Sequence, residues 1–316
     1  MITVAILDDY QSVALTSADW SALDGAAEIT AFADHLAGQE ALVHRLADFD
    51  VVVAMRERTP FPAELLRRLP RLRLLVTTGA RNASIDLAAA AAQGVTVCGT
   101  GGSGAPTPEL TWGLLLALAR AIPAEDAGVR AGGWQSTVGR ALAGSTIGIL
   151  GLGRIGRQIA GYAEAFGMER IAWSQNLTAE RAADSGVRLV TKDELFREAD
   201  VVSVHLQLSE RTRHLVGAPE LDLLGPDGLL VNTSRGPIVE EKALVEALRT
   251  GRIGGAALDV FDTEPLPSDH PLRTSPNTVI TPHIGYVERE TYARFYREAA
   301  EDVAAWLGGA PVRLLT

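Results

Sequence analysis

A chain of 316 residues, 47% apolar and 22% charged, can bury the cores of about two domains and is far from the composition of disordered proteins. Its 29 basic and 39 acidic residues give a formal charge of −10 with Lys and Arg scattered, which argues against a nucleic-acid partner. One cysteine, Cys98, excludes an internal disulfide, and the opening MITVAILDDY begins a strand rather than a signal sequence, so a cytoplasmic location is expected.

In chain order, the apolar runs TVAIL, AEITAF, DVVVAM, LRLLVTT and VTVCG read as strands. They alternate with helical SADWSAL, GQEALVHRLAD, PAELLRRL and SIDLAAAAA, which implies crossover units and a parallel sheet. The pattern breaks at Gly99 into GTGGSGAPTP, the expected domain boundary. The apolar helix LTWGLLLALARAI, Leu110 to Ile122, is too short for a bilayer and reads as buried, with a subunit interface as one use for it. A second alternation follows: STIGILG, RIAWS, VRLV, DVVSVHL, GLLVNTS, GGAALDV and TVITPH, seven strands of a second doubly wound sheet. The last helix, about Glu288 to Leu307, carries an apolar stripe and is expected to return to the small first domain. The domains are thus 1–99 with 287–316, and 100–286.

In GLGRIG, Gly151 permits a tight turn after a strand, Gly153 lets a pyrophosphate approach the backbone, and Gly156 lets the helix pack on the sheet. The helix opening at Arg154 and Ile155 supplies amide donors and partial positive charge. Context decides here, because the motif follows one strand, opens a helix and precedes a second strand at the proper distance. That second strand ends at Ser174-Gln175-Asn176, where a carboxylate would hold both ribose hydroxyls and repel a 2′-phosphate. NADP(H) is therefore favoured over NAD(H), with Arg181 the nearest downstream cation. A polar loop that tolerates either cofactor is the alternative.

Arg235 in VNTSRGPIVEE, Asp259 and Glu264 in ALDVFDTEPLP, and His283 in TPHIGY lie at strand ends, where open α/β sheets bind ligands. Singly, each has a structural explanation: a solvated loop arginine, a turn glutamate before Pro265, a loop histidine. With the glycine turn they resemble the D-isomer-specific 2-hydroxyacid dehydrogenases, along nearly the whole chain. The resemblance runs through MRERTP, TTGARNASIDL, ELTWGLLLALAR, GSTIGILGLGRIG, ADVVSVHLQLSERTRHLVG, NTSRGPIVEEKALVEAL, GAALDVFDTEPLP and ITPHIG.

That resemblance implies a Rossmann cofactor domain inserted into a flavodoxin-like substrate domain, both α/β with doubly wound parallel sheets. It implies NAD(P)-dependent oxidation of a small 2-hydroxy acid, or reduction of a 2-oxo acid such as glyoxylate, hydroxypyruvate or a phosphoglycerate-like acid. His283 would donate the proton, Glu264 would orient the ring and favour imidazolium, and Arg235 would grip the carboxylate and polarise the carbonyl. Asp259 would hold the nicotinamide carboxamide, Thr233 and Ser234 would line the cofactor's edge, and His205 would border it or be a core histidine. Backbone amides around Thr78, Gly79 and Ala80 would bind the substrate carboxylate, with Asn82 bracing that turn. By their spacing, Arg56 and Arg58 share a face if the strand continues, with one of them pointing into the substrate cleft or either solvated. Two crossings, near Gly99 to Pro106 and Ile284 to Glu288, would form a hinge. A homodimer through the Leu110 to Ile122 helix is implied; no metal site and no membrane segment are expected.

Three departures stand out: Ser174, Tyr286 with Val287 where many members have small residues, and a chain end that leaves no room for a regulatory domain. Tyr286 is expected either to narrow the pocket or to pack in the core. A formate dehydrogenase is disfavoured by the Arg, Glu and His set. A different class, a nucleotide-sensing protein like the corepressors on this fold, remains the alternative function.

Overall fold

Strands β1 (Ile2–Ile6), β2 (Ala27–Ala31), β3 (Val51–Ala54), β4 (Leu74–Thr77) and β5 (Thr96–Gly99) pair in parallel, in the order β2-β1-β3-β4-β5, the flavodoxin-like arrangement. The inner strands β3 and β4 are buried at every residue, as their unbroken apolar runs require of a sheet covered on both faces. Edge strand β2 alternates half-buried with exposed residues. Helices α1 (Gln39–Leu46), α2 (Ala63–Arg67) and α3 (Leu87–Ala92) make the crossovers. The helix expected over SADWSAL is absent: only Ser21–Leu23 winds, as a single 3-10 turn. There the Asp19 carboxylate accepts from Ser21 N at 2.9 Å and the Trp20 indole donates to Ala14 O at 3.0 Å, local bonds that compete with a helix.

This computed structural model describes residues 1–102 and 104–315, so Ser103 in the expected boundary lies outside the described residues. It divides into two units, Met1–Ser103 with Val287–Thr316, and Gly104–Tyr286. The second unit opens with α4 (Pro106–Ala119) and α5 (Ile122–Arg130), parted at Ala121, whose φ is +49°. Most of the apolarity of α4 is spent internally: Trp112, Leu114, Leu115 and Ala119 are buried against the sheet. Exposed apolar side chains lie beyond it instead, at Ile122, Val129, Val138 and Trp134, the last 77% exposed. Glu125 ties the irregular stretch that follows α5, accepting from Ser136 Oγ at 2.9 Å and Thr137 Oγ1 at 2.6 Å.

Seven parallel strands follow: β6 (Thr146–Leu150), β7 (Glu169–Trp173), β8 (Arg188–Leu189), β9 (Val201–Val204), β10 (Leu229–Asn232), β11 (Gly255–Leu258) and β12 (Thr278–Ile280). Their order is β12-β11-β10-β9-β6-β7-β8, so the chain runs outward from β6, then returns to place β9 on its other side. That reversal makes a switch point between β6 and β9, where the crevice of a dinucleotide-binding sheet opens. Helices α6 (Arg154–Ala165), α7 (Ala179–Ala183), α8 (Lys192–Glu198), α9 (Ala218–Leu224) and α10 (Glu241–Arg249) complete this unit.

The last helix, α11 (Arg289–Leu307), packs on β4 of the first unit. Its stripe of Tyr292, Phe295, Tyr296, Ala299, Ala300 and Val303 is buried, and each large side chain so removed from water contributes about 1.5–3 kcal/mol. Beyond it the tail lies antiparallel to β5, with Leu315 N donating to Val97 O at 2.8 Å. Arg313 pins this tail by donating to the fully buried Asp302 Oδ1 at 2.9 Å and to Glu298 O at 2.8 Å. Burial raises the Asp302 carboxyl to about 7 despite that arginine. No helix among the described residues is long and apolar enough to cross a membrane.

Candidate active site

The glycine turn joins β6 to α6 in a backbone that glycine alone allows. Gly151, at the end of β6, has φ +106°, and a Cβ there would stand 2.9 Å from the main chain of His205 across the switch point. Only glycine fits that backbone. Gly156 packs against the carbonyl of Gly151, drawing α6 onto the strand. Gly153 caps α6 without a side-chain hydrogen bond, and the space before it is open to 4 Å. The first-turn amides of α6 thus have no capping side chain, which fits a pyrophosphate. The Arg154 guanidinium packs over Gly104, so the motif's arginine is placed by the start of α4's segment rather than by the turn itself.

Strand β7 ends at Trp173, and Ser174 O accepts from Leu177 N at 3.1 Å, closing a turn with no carboxylate in it. Gln175 ties this turn to Arg211 O at 3.4 Å, on the loop after β9. Arg181 sits in the short α7, with its main-chain N bonded to the capping Thr178 hydroxyl at 3.3 Å. His205 ends the β9 edge of the switch point, its Nε2 2.8 Å from Ser203 Oγ. Burial pushes its pKa down to about 3, so it is a neutral imidazole.

Of the polar groups at the remaining strand ends, Glu264 and His283 meet directly, while the Arg235 guanidinium donates to Ser234 O at 2.8 Å. Glu264 Oε2 and His283 Nδ1 lie 2.5 Å apart, with side chains 28% and 18% exposed. Glu264 Oε1 also accepts from Phe261 N at 2.9 Å, so both carboxylate oxygens are oriented. The Glu264 loop is held in turn by Glu241, whose carboxylate accepts from Asp262 N at 3.2 Å and pairs with His270 Nε2 at 2.9 Å. Arg235 follows β10. Asn232 folds that corner as an Asx turn, accepting from Ser234 N at 3.0 Å and donating to Arg235 O at 3.0 Å. Next to it, Gly236 is pressed on the Phe261 main chain, where a Cβ would be 2.1 Å from a carbonyl carbon. Any side chain at that point would push the Arg235 corner off the Glu264 loop. Thr233 Oγ1 bonds Thr111 Oγ1 of α4 at 2.7 Å, and Ser234 Oγ donates to Leu206 O.

Asp259 is fully buried beneath the histidine turn. Its Oδ1 accepts from Thr281 Oγ1 at 2.6 Å and Ile284 N at 2.8 Å, and its Oδ2 from Gly285 N at 2.8 Å. Burial raises its carboxyl, while these bonds and the nearby His283 pull the other way. The turn needs such an anchor because His283 has φ +54°, a conformation that a residue with a Cβ holds at a cost. Sequence pattern does not show this bracing, nor the part of Asn232, Glu241, His270 and Thr111. The N-T-S spacing after β10 is the one local signal that points to an Asx turn.

In the first unit, β3 stops at Ala54, and Arg56 turns to φ +52°. The strand does not continue to Arg56, so the expectation that Arg56 and Arg58 share a strand face is corrected. The Arg56 guanidinium lies against Gly79, 1.8 Å from where a Cβ would stand, and 3.7 Å from the Glu57 carboxylate. Arg58 covers the Tyr10 ring at 5.0 Å. Of the amides in the Thr78 to Ala80 loop, Thr78 N donates to Ala54 O at 3.0 Å and Gly79 N to Thr100 Oγ1 at 2.7 Å. Asn82 braces this loop, donating to Arg56 O at 2.6 Å and Thr77 Oγ1 at 2.9 Å.

Residues 112–285 match the D-isomer specific 2-hydroxyacid dehydrogenase NAD-binding domain. The chain belongs to the D-isomer specific 2-hydroxyacid dehydrogenase family. Members of this family are oxidoreductases acting on the CH-OH group of 2-hydroxy acids, with a nicotinamide cofactor. A glyoxylate reductase of Aeropyrum pernix is 41% identical over 256 residues, 78% of this chain and 76% of that protein. A hydroxypyruvate reductase of Thermotoga maritima is 34% identical over 89% of this chain and 92% of its own. The chain spans about half the length of a Methanocaldococcus jannaschii D-3-phosphoglycerate dehydrogenase, 52%, at 37% identity over 86% of its own residues. Among solved structures, a phosphoglycerate oxidoreductase from Vibrio cholerae O395 superposes with a TM-score of 0.92 at 38% identity, over 98% of this chain and 100% of that one.

Proposed function

We propose that this dehydrogenase reduces a small 2-oxo acid of the glyoxylate, hydroxypyruvate or phosphoglycerate-like kind to its D-2-hydroxy acid, and runs the oxidation in reverse. The observation that carries the proposal is the Glu264–His283 couple at 2.5 Å, on a turn that Asp259 anchors. A nicotinamide cofactor, when bound, would supply hydride chemistry at the carbonyl carbon. Charge then develops on the carbonyl oxygen and must be met by a proton and a cation. His283 gives Glu264 its Nδ1 edge, so Nε2 is the edge that hands its proton to that oxygen, and the imidazole regains a proton from water. Arg235 presents paired planar donors to the substrate carboxylate and carbonyl.

Gly151, Gly153, Arg154, Ile155 and Gly156 hold the pyrophosphate in this account. Ser174 would meet the ribose, His205, Thr233 and Ser234 would border the nicotinamide half, and Asp259 would hold its carboxamide. NADP(H) is favoured over NAD(H), supported by a ribose edge without a carboxylate. In the first unit Ala80 N and the Arg56 guanidinium are the proposed carboxylate donors; Thr78 and Gly79 shape the loop, their amides being committed to Ala54 O and Thr100 Oγ1. A homodimer is proposed through Ile122, Val129, Trp134 and Val138 rather than the buried face of α4. The test is nicotinamide absorbance with glyoxylate, hydroxypyruvate, pyruvate and bulkier 2-oxo acids, each with NADH and NADPH. Oxidation of NADPH well above NADH with a short acid is expected. No turnover with any pair, despite cofactor binding, would overturn the assignment.

A further inference from the structure

The first unit's sheet has a switch point of its own. The chain leaves β1 for β2 and then places β3 on the other side of β1, so the loops after β1 and β3 part at the carboxyl edge, where open α/β sheets bind ligands. One buried carboxylate bridges them. Asp8, just past β1, holds φ +58°, a conformation that a residue with a Cβ keeps at a cost. Its Oδ2 accepts from Thr59 Oγ1, in the loop after β3, at 2.7 Å, and its Oδ1 lies 2.8 Å from His35 Nδ1, in the loop after β2. Both oxygens of Asp8 are thus spent on joining three loops.

The loop that Thr59 ends is the one that carries Arg56. Its start is fixed by the Thr78 loop: Arg56 N donates to Thr78 Oγ1 at 3.0 Å, and Arg56 O accepts from Asn82 Nδ2 at 2.6 Å. Arg58 N then donates to Met55 O at 3.2 Å, which closes the turn, and Thr59 fastens its end to Asp8. The Arg58 guanidinium, over the Tyr10 ring at 5.0 Å, ties the turn to the Asp8 loop a second time. At a φ of +52°, Arg56 needs both ends of the turn held for its guanidinium to stay against Gly79.

From these bonds we infer that Thr59, acting through Asp8, is a positioning residue that holds the Arg56 guanidinium where it meets the substrate carboxylate. The inference rests on the proposed reductase activity, with Arg56 as a carboxylate donor, and adds the residue that keeps this donor in place. Thr59 is 3% exposed and Asp8 2%, so both act through Arg56 rather than on the substrate.

The test measures KM and kcat for glyoxylate and hydroxypyruvate in Thr59→Val, Thr59→Ser, Arg56→Ala and the combined Thr59→Val and Arg56→Ala variant. Each is checked for cooperative thermal unfolding and for NADPH affinity by fluorescence. Thr59→Val removes the hydroxyl at nearly constant shape, so KM should rise about tenfold, the lower end of what one hydrogen bond to a charged group supports, with kcat within about twofold of its natural value. Thr59→Ser, which keeps the hydroxyl, should show the natural KM, and cofactor affinity should not move. Once Arg56 is gone, Thr59→Val should change KM no further, because the two act as one unit. Should the valine variant not fold, Thr59→Ala, which adds no atom beside the carboxylate, reads the same loss. A natural KM without the Thr59 hydroxyl beside a raised KM in Arg56→Ala, or a rise that adds in full to that of Arg56→Ala, would overturn the inference and leave the reductase standing. A natural KM in Arg56→Ala would instead remove Arg56 as the carboxylate donor, and no turnover in the natural protein would remove the reductase; either takes the inference with it.

Discussion

Replacing Glu264 with Gln keeps the shape of the side chain and removes its charge. The hydrogen bond it makes with His283 Nδ1 is 2.5 Å long, and the side chains are 28% and 18% exposed. At an effective dielectric of about 20, a charge pair about 4 Å apart is worth roughly 4 kcal/mol before screening. Hydrogen bonds to charged groups measure about 1.5–3 kcal/mol, the better figure for a partly exposed pair. Because each 1.36 kcal/mol is about tenfold in rate, the variant should lose about ten- to a hundredfold in kcat/KM near neutral pH. Cofactor affinity should keep its natural value, because the substitution changes only the partner of His283 Nδ1. Steady-state kinetics, with cofactor affinity followed by fluorescence, reads both effects. A kcat/KM within a few fold of the natural value, or a loss carried by cofactor affinity alone, would refute the assignment of Glu264 as the partner of a proton-donating histidine.

Arg235→Lys preserves charge but not the planar fork, so KM for the 2-oxo acid should rise about tenfold or more and kcat should fall, with cofactor affinity unchanged; unaltered kinetics would place the carboxylate clamp elsewhere. Asp302 makes a second pH prediction, for stability. Its folded carboxyl is raised to about 7 from 3.8, so the stability it confers is complete below the unfolded value and lost as pH rises through about 7. Asp302→Asn, neutral throughout, should flatten the fall in Tm between about pH 4 and pH 7, and an identical slope in both proteins would contradict this. Trp134→Glu should shift sedimentation from dimer to monomer; a monomeric natural protein, or an unmoved dimer, would remove the proposed interface.

Much of the architecture is legible in the residues because its signals are local and repeated. Buried parallel strands must be unbroken apolar runs, and alternating them with helical periods implies the two doubly wound sheets, whose order the structure supplies. Gly151 is legible because only glycine tolerates its φ. SADWSAL misleads because two local hydrogen bonds outweigh a short helical pattern. LTWGLLLALARAI is apolar mostly for internal reasons, whereas the exposed apolar groups sit in α5, at Ile122 and Val129, and in the irregular stretch after it, at Trp134 and Val138. Arg56 and Arg58 invite an alternation rule that lapses once β3 ends at Ala54. The supports of the candidate site are harder to see. Asp259 and Gly285, or Glu241 and Asp262, meet across long sequence separations, and nothing in either partner alone announces the contact.

The central claim is that His283 delivers the proton in the reduction of a 2-oxo acid, and His283→Asn tests it most directly. Turnover of the best acid should fall by about a hundred- to ten-thousandfold, the usual contribution of a positioned acid, while NADPH quenches fluorescence with its natural affinity. Turnover retained within a few fold, with the same cofactor affinity, would contradict the account.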